Sequence, residues 1–272
     1  MNYFKKVKTY LPFTMNSFQA QLAYKANSLM FVIGQAVIIL VSYYLWKAIY
    51  SSAGKGTISG FNFNEMIIYM LLSFLISILT DIDVSTIIYR EVKDGSIAIN
   101  LVRPINYCKR MFFQALGTIM FNFVLVFSVG FILVTVLFVS VEHNFNIVNI
   151  ILSLITMVFS IILTFYYRYC FGLLSFKITN MWGLAQIMGA IFRLLSGALI
   201  PLSFFPMIIQ KIFGLLPFSS IISTPTLIYL GKIKGMELIF SIGLQVVWIG
   251  ILILLSRWMW NKLIKELTIL GG

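Results

Sequence analysis

Charged residues are scarce in this chain. Only 10% of its 272 residues are charged, whereas 60% are hydrophobic, and the mean hydropathy is +0.99. Ordinary soluble domains carry roughly 25% charged residues. We therefore interpret the chain as an all-α integral membrane protein, with room for about six transmembrane spans of ~20 residues each. No segment is polar enough to form an independent soluble domain.

Cysteine and histidine are also rare. Cys108 and Cys170 show no CxxC spacing and have no histidine beside them, so we predict two isolated reduced thiols. His143 is the only histidine, and it follows Glu142 in a predicted external turn. One histidine without further ligands does not make a metal site. The sequence also lacks a plausible Ser-His-Asp set, so it predicts neither a metal centre nor an enzyme.

A phosphate-binding loop of the form GxxxxGK[ST] is absent as well. The energy for any transport must therefore come from another subunit or from an ion gradient. A self-contained secondary transporter or channel stays the alternative interpretation, although no internal repeat supports it. The net charge of +12 is typical of positive-inside orientation and contact with anionic lipids, and we do not expect nucleic acid as a partner.

Apolar runs divide the chain into one transmembrane domain, residues 1–272. Residues 1–25 mix aromatic and basic side chains and predict an interfacial helix, the alternative being a disordered basic tail. Residues 200–235 contain four of the six prolines, and their apolar pieces are too short to span, which favours re-entrant or interfacial helices. The predicted spans cover about residues 27–50, 63–88, 111–141, 147–174, 182–199 and 238–256.

The distribution of Lys and Arg predicts the orientation. Fourteen of the twenty basic residues fall in segments that this topology places in the cytoplasm, and five fall in external segments. Because positive residues accumulate on the cytoplasmic side, we expect both termini inside the cell. The chain is interpreted as a multi-pass protein of a bacterial cell membrane.

A polar stretch, Tyr89–Arg110, interrupts the apolar sequence between spans two and three. It holds five of the basic residues. Asp94–Leu101 predicts a short amphipathic helix, and Arg103-Pro104 ends it because a residue before proline avoids the α region. A short cytoplasmic helix between two spans can receive a push from a partner.

Three stretches of the chain resemble the permeases of type-2 ABC exporters, and in particular their compact subgroup. Residues 81–106 resemble the family's acidic turn, Leu-rich short helix and closing proline dipeptide. Ser196–Pro217 resembles its SG-x-x-x-P … P … LP signature after span five. Tyr229-Leu230-Gly231 and the terminal Gly271-Gly272 are similar to the subgroup.

This resemblance implies a non-catalytic permease subunit that binds a cytoplasmic ABC ATPase, with ATP and Mg on that partner. It also implies a second permease, identical or homologous, and an external gate lined by re-entrant helices. The apolar spans fit an amphiphilic substrate such as a drug, a peptide or a lipid-like molecule. The residues that the resemblance assigns to coupling with the ATPase are Glu91, Asp94, Gly95, Ser96, Ile97, Leu101, Arg103 and Pro104.

Two carboxylates and one arginine are candidates for the transport path. Asp81 and Asp83 lie on the inner half of predicted span two, on different faces of a helix. One would face the path and the other a basic partner such as Arg90 or Arg168, or both would lie at the water interface. Arg193 lies inside predicted span five. It either lines the path or contacts another subunit, or else it forms a structural pair or is a snorkelling side chain.

The segment after span five supplies the candidates for the gate. Phe204 and Phe205 either form an external hydrophobic gate or pack as ordinary apolar side chains. Pro201 and Pro206 flank them and are included as gate candidates.

Overall fold

The structure, a computed structural model, describes residues 7–23, 25–54, 56–142, 146–178 and 180–265. Predictions for residues 1–6, His143 and Gly271-Gly272 lie outside these ranges. Within them the helices, in chain order, are α1 (Leu11–Ala23), α2 (Lys25–Ala53), α3 (Phe63–Thr80), α4 (Val84–Lys93), α5 (Ile97–Val102), α6 (Tyr107–Asn122), α7 (Ser128–Glu142), α8 (Ile147–Leu173), α9 (Trp182–Leu195), α10 (Met207–Leu215), α11 (Ser219–Tyr229) and α12 (Gly235–Leu263).

Several helices are long and apolar enough to cross a membrane. The described residues contain five such stretches, or six if α10 and α11, which meet at a bend of 103°, count as one. The chain is thus a multi-pass, all-α membrane protein, as its composition predicts. The five stretches are Ile33–Ala53, Phe63–Lys93, Tyr107–Val141, Ile147–Phe176 and Gly235–Leu263.

The predicted fifth span, residues 182–199, forms a shorter helix than expected. Helix α9 has 14 residues, which at 1.5 Å per residue is about 21 Å, less than the ~30 Å of a bilayer core. It ends because Gly197 has a φ of +77°, a conformation that favours glycine. The hydroxyl of Tyr69 donates a hydrogen bond to the Gly197 carbonyl at 2.8 Å and secures this turn on α3.

The predicted second span, residues 63–88, is interrupted. Helix α3 ends at Thr80, whose hydroxyl donates to the Ile76 carbonyl at 2.9 Å, and α4 begins at Val84. Asp81 and Asp83 therefore lie in a non-helical break, and the expectation that they occupy two faces of one helix is wrong. Short polar side chains favour such breaks because they compete for backbone hydrogen bonds.

The third predicted span, residues 111–141, contains an irregular turn. A π-helical turn at Phe123–Phe127 joins α6 to α7, and the Asn122 side chain donates to the Ile78 carbonyl at 3.0 Å. Gly130 lets α7 approach α3, because a Cβ at this position would contact the Leu75 side chain too closely. π-Helical turns occur mostly as such single-turn bulges within longer α-helices.

The N-terminal helix α1 packs lengthwise along α6. Thr14 Oγ1 donates to the Phe113 carbonyl at 2.7 Å, and the Tyr10 and Phe113 rings stack at 5.3 Å. Gly117 makes this approach possible, since a Cβ at this position would overlap the backbone of Thr14. The predicted interfacial helix of residues 1–25 corresponds in the described residues to α1.

A two-stranded hairpin that the sequence did not predict follows α2. Strand β1 (Thr57–Ile58) pairs antiparallel with β2 (Phe61–Asn62) through a turn at Ser59 and Gly60, both of which have positive φ. Positive φ at both turn residues matches the twist of the strands. The hydroxyl of Tyr50 donates to the Phe61 carbonyl at 2.9 Å and holds the hairpin against α2.

The proline-rich segment 200–235 contains several short helices. A 3-10 turn at Leu202–Phe204 precedes α10 and α11. Helix α11 is buried, and its backbone is satisfied by other helices: Ser153 Oγ donates to the Pro225 carbonyl at 2.8 Å, and Gln245 Nε2 to the Ser220 carbonyl at 2.6 Å. Such partners are what irregular backbone requires away from water.

Candidate functional site

The loop between α4 and α6 folds into a compact elbow. Asp94 Oδ1 accepts hydrogen bonds from the Ser96 backbone N–H at 2.9 Å and from its hydroxyl at 2.6 Å. These bonds favour the ionised carboxylate and lower the pKa of Asp94. Gly95 has a φ of +75°, which permits the reversal. The short helix therefore begins at Ile97, three residues later than predicted, and ends at Val102.

Helix α5 has a buried face and an exposed face. Ile97 is completely buried against the surrounding helices, and Leu101 is partly buried. Ile99 and Val102 are 65% and 85% exposed, although they are apolar. We define the elbow surface as the exposed side chains Asp94, Ile99, Val102, Arg103 and Pro104. Ile99 and Val102 are the additions to the predicted coupling residues, and amphipathic spacing within Asp94–Leu101 was the signal for Ile99.

A buried ion pair fixes the elbow between two spans. Arg110 Nη2 on α6 donates to both carboxylate oxygens of Glu91 on α4, at 2.6 and 2.8 Å. The Tyr107 hydroxyl donates to the same carboxylate at 2.7 Å. The side chains of Arg110 and Glu91 are only 6% and 12% exposed. Glu91 thus holds the elbow together and does not belong to the elbow surface.

Helix α4 also packs tightly on α8. Gly172 faces α4, where an added Cβ would meet Ile88 Cδ1 at 2.8 Å and Ser85 Cα at 3.0 Å. Displacement of the elbow must therefore move α4 with α6 or slide it along α8. Interiors packed this closely transmit displacement.

A polar cavity of about 420 Å³ lies at the break that follows α3. Asp81 lines it from the break, Arg168 from α8, and Arg193 from α9. Arg168 Nη2 lies 3.5 Å from Asp81 Oδ1, and the Asp81 side chain remains 60% exposed. The structure thus brings Asp81 and Arg193 together around one cavity, and of the two proposed partners of the carboxylates, Arg168 pairs with Asp81. Gln35 and Gln186 extend the polar lining.

The second carboxylate is placed differently. Asp83 is exposed and precedes α4 as its N-cap residue without a side-chain capping bond. It is not part of the cavity lining. The two aspartates therefore occupy different environments: Asp81 lines the cavity, and Asp83 does not.

The gate candidates lie apart from this cavity. Phe204 packs against Trp46, with ring centroids 5.3 Å apart, whereas Phe205 packs against Phe213 at 5.6 Å. The two phenylalanines have different partners and do not form one aromatic pair. Pro201 precedes the 3-10 turn and Pro206 precedes α10, so both start short helices.

Candidate metal ligands and cysteine thiols are the other groups that could form a site, besides the elbow and the cavity. Over the described ranges, no three side chains of His, Cys, Asp or Glu are grouped so that they could hold a metal ion. Cys108 is partly buried and Cys170 is buried, and both are free thiols. The structure thus shows an exposed elbow surface, a buried ion pair that braces the elbow, and a polar cavity.

A comparison with known families finds a match over most of the chain. A family model described as "ABC-2 family transporter protein" matches residues 36–271. This range includes the whole elbow and the Asp81, Arg168 and Arg193 cavity residues. A search of curated proteins finds no match.

Proposed function

Because this chain belongs to the ABC-2 family of transporter membrane proteins, we propose that it is one permease of an exporter driven by a separate cytoplasmic ABC ATPase. ATP and Mg bind to that partner, and this chain is its non-catalytic membrane subunit. Both termini face the cytoplasm of a bacterial cell. The elbow then lies on the same side as the ATPase.

The braced elbow is the observation that carries the coupling role. The elbow surface exposes two apolar side chains, Ile99 and Val102, beside the charged Asp94 and Arg103. Apolar anchors surrounded by polar groups are typical of a protein interface. The Glu91–Arg110 pair links α4 to α6, so a push on α5 is passed to two spans together.

The break at residues 81–83 then serves as the hinge between elbow and path. Asp81 belongs both to this break and to the polar cavity. Movement of α4 alters the 3.5 Å separation between Asp81 and Arg168, and with it the cavity lining. The ATPase and the transported molecule thereby bias the same two-state element, which is what coupling requires.

A second permease, identical or homologous, completes the path. Arg193 and the apolar side chains of α2, such as Val37 and Val41, are exposed in the single chain. Exposed apolar faces of membrane helices are covered by lipid or by another subunit.

The cavity lined by Asp81 and Arg193 also contains the apolar side chains Phe74 and Leu199. This combination of charged and apolar groups fits an amphiphilic substrate.

Co-purification and ATP depletion test the function as a whole. The tagged chain, extracted from its native membrane, should bring down an ABC ATPase, and export into inside-out vesicles should stop when ATP is removed. Transport that survives ATP depletion and follows an ion gradient would instead establish a secondary transporter.

A charge placed on the elbow surface tests the docking site. Val102→Asp and Asp94→Lys should each reduce transport and its ATPase stimulation about tenfold or more, because one interface anchor is worth on the order of 2 kcal/mol. Ile178→Asp is the matched control, since Ile178 is an exposed apolar residue in the loop after α8. Equal effects of Val102→Asp and Ile178→Asp would argue against a specific docking surface.

A further inference from the structure

A second cavity, of about 650 Å³, lies behind the elbow. One wall is formed by Ile253, Arg257, Trp260 and Ile264, which recur every three or four residues along one face of the last part of α12 and beyond. The loop between α5 and α6 and the first turn of α6 form the opposite wall, where Lys109 lies. The cavity is therefore distinct from the one lined by Asp81 and Arg193.

The charged side chains that line the cavity, within the part of the chain that the structure describes, are both positive. Lys109 and Arg257 both line the cavity, and no carboxylate stands among the described residues of its lining. Glu91, which accepts hydrogen bonds from the Tyr107 hydroxyl and from Arg110, is not among the lining residues. Among the described residues, neither Lys109 nor Arg257 forms an ion pair.

Polar and apolar groups are arranged as an amphiphile requires. Asn100 and Asn261 add amide groups near the two cations, while Ile253 and Ile264 supply apolar surface. Trp260 stacks on Tyr107 with ring centroids 5.2 Å apart. Trp and Tyr concentrate at the membrane–water interface, where phospholipid headgroups lie.

We propose that this second cavity binds the phosphate of an anionic phospholipid. The acyl chain of the lipid then passes along Ile253 toward the bilayer. Arg257 and Lys109 hold the phosphate by charge-assisted hydrogen bonds. A free phosphate would use the two cations and leave the apolar wall uncovered. Because Asn100 and Leu101 of α5 line the same cavity, the bound lipid contacts the elbow from behind. The proposal rests on the proposed function only for its assignment to the cytoplasmic leaflet.

Lipid binding to the full chain tests the site without the ATPase. Native mass spectrometry of the purified chain in detergent would be titrated with dioleoylphosphatidylglycerol and, separately, with dioleoylphosphatidylcholine. Arg257→Ala should weaken phosphatidylglycerol binding about fivefold, because one basic residue near anionic lipid contributes about 1 kcal/mol. The double variant Arg257→Ala with Lys109→Ala should weaken it on the order of 20-fold, since two such contributions are lost. Phosphatidylcholine binding should not change.

Lys262→Ala is the matched control, because Lys262 is exposed on the same end of α12 but lies over the Trp258 ring, outside the cavity lining. It should change phosphatidylglycerol affinity less than about twofold. An effect as large as that of Arg257→Ala would mean diffuse attraction and overturn the proposal, as would equal binding of the two lipids. Displacement of phosphatidylglycerol by millimolar inorganic phosphate would make the ligand a free phosphate.

A second variant keeps the test decisive if Arg257→Ala does not fold. Asn261→Asp adds a negative charge to the lining at an exposed position and removes no cation. With unchanged helix content by circular dichroism, it should weaken phosphatidylglycerol binding about fivefold. Unaltered affinity in this folded variant would overturn the proposal.

Discussion

Replacing Glu91 should loosen the elbow and uncouple it from the two spans that it joins. Arg110 is 6% exposed, and its strongest contacts are the two bonds to the Glu91 carboxylate, at 2.6 and 2.8 Å. Glu91→Ala leaves this guanidinium buried without a counter-charge and takes the acceptor from the Tyr107 hydroxyl. The perturbation is thus confined to one buried network.

The magnitude follows from the burial. Removing one partner of a buried ion pair costs about 3–5 kcal/mol, because the other charge remains desolvated. Glu91→Gln keeps an oxygen that Tyr107 or Arg110 can donate to, so its cost should fall to about 2 kcal/mol. Arg110→Met removes the buried charge itself. The double variant Glu91→Gln with Arg110→Met should therefore be more stable than the sum of the single effects, by about 1–3 kcal/mol.

Equilibrium unfolding in mixed detergent micelles measures this cycle, and transport in reconstituted vesicles measures its consequence. Arg103→Met serves as the matched control, since Arg103 is an exposed arginine of the same elbow. Its free energy of unfolding should change by less than about 0.5 kcal/mol. Additive effects of Glu91→Gln and Arg110→Met would refute the argument that the pair braces the elbow.

Three further substitutions test the elbow, the α1–α6 contact and the cavity. Gly95→Trp should preserve membrane insertion but abolish the stimulation of ATPase activity by substrate, since a side chain at a φ of +75° distorts the turn before α5; unchanged transport would remove the coupling role. Gly117→Leu should separate α1 from α6. The separation is measured by the disulfide that Ser17→Cys and Thr118→Cys form in the parent chain, where the two native hydroxyls lie 3.4 Å apart. The disulfide should be lost in Gly117→Leu, and an intact crosslink would contradict the close approach. Arg168→Leu should lower transport about tenfold by leaving its carboxylate partner unpaired in the cavity; a transport rate equal to wild type would exclude this pair from the path.

The elbow illustrates which parts of the site could be predicted. Arg103-Pro104 and the charge of the loop indicate a short helix facing water, and α5 lies there. Its bounds were less accurate, because the Asp94 side chain caps the turn and delays the helix to Ile97. The buried bond between Glu91 and Arg110 was not predicted, since nothing local pairs residues that are 19 positions apart.

The breaks in the spans show the same limit. Apolar length predicts that residues 63–88 cross the membrane, but the polar sequence Asp81–Asp83 ends α3 inside this range. Likewise, Gly197 ends α9 at a turn that Tyr69, a residue of α3, holds in place. Hydropathy averages over such positions, whereas hydrogen bonding acts on individual residues.

Composition by itself determined that this protein is helical and lies in a membrane, because an apolar chain can satisfy its backbone in lipid only within regular structure. The order of its motifs determined the family, which the match over residues 36–271 shows. Only the tertiary structure decided that Asp81, Arg168 and Arg193 share a cavity while Asp83 does not, and that Ile97 is buried while Val102 is exposed. The physical reason is that helix packing brings together side chains from distant segments, and the pairing of buried charges depends on that packing.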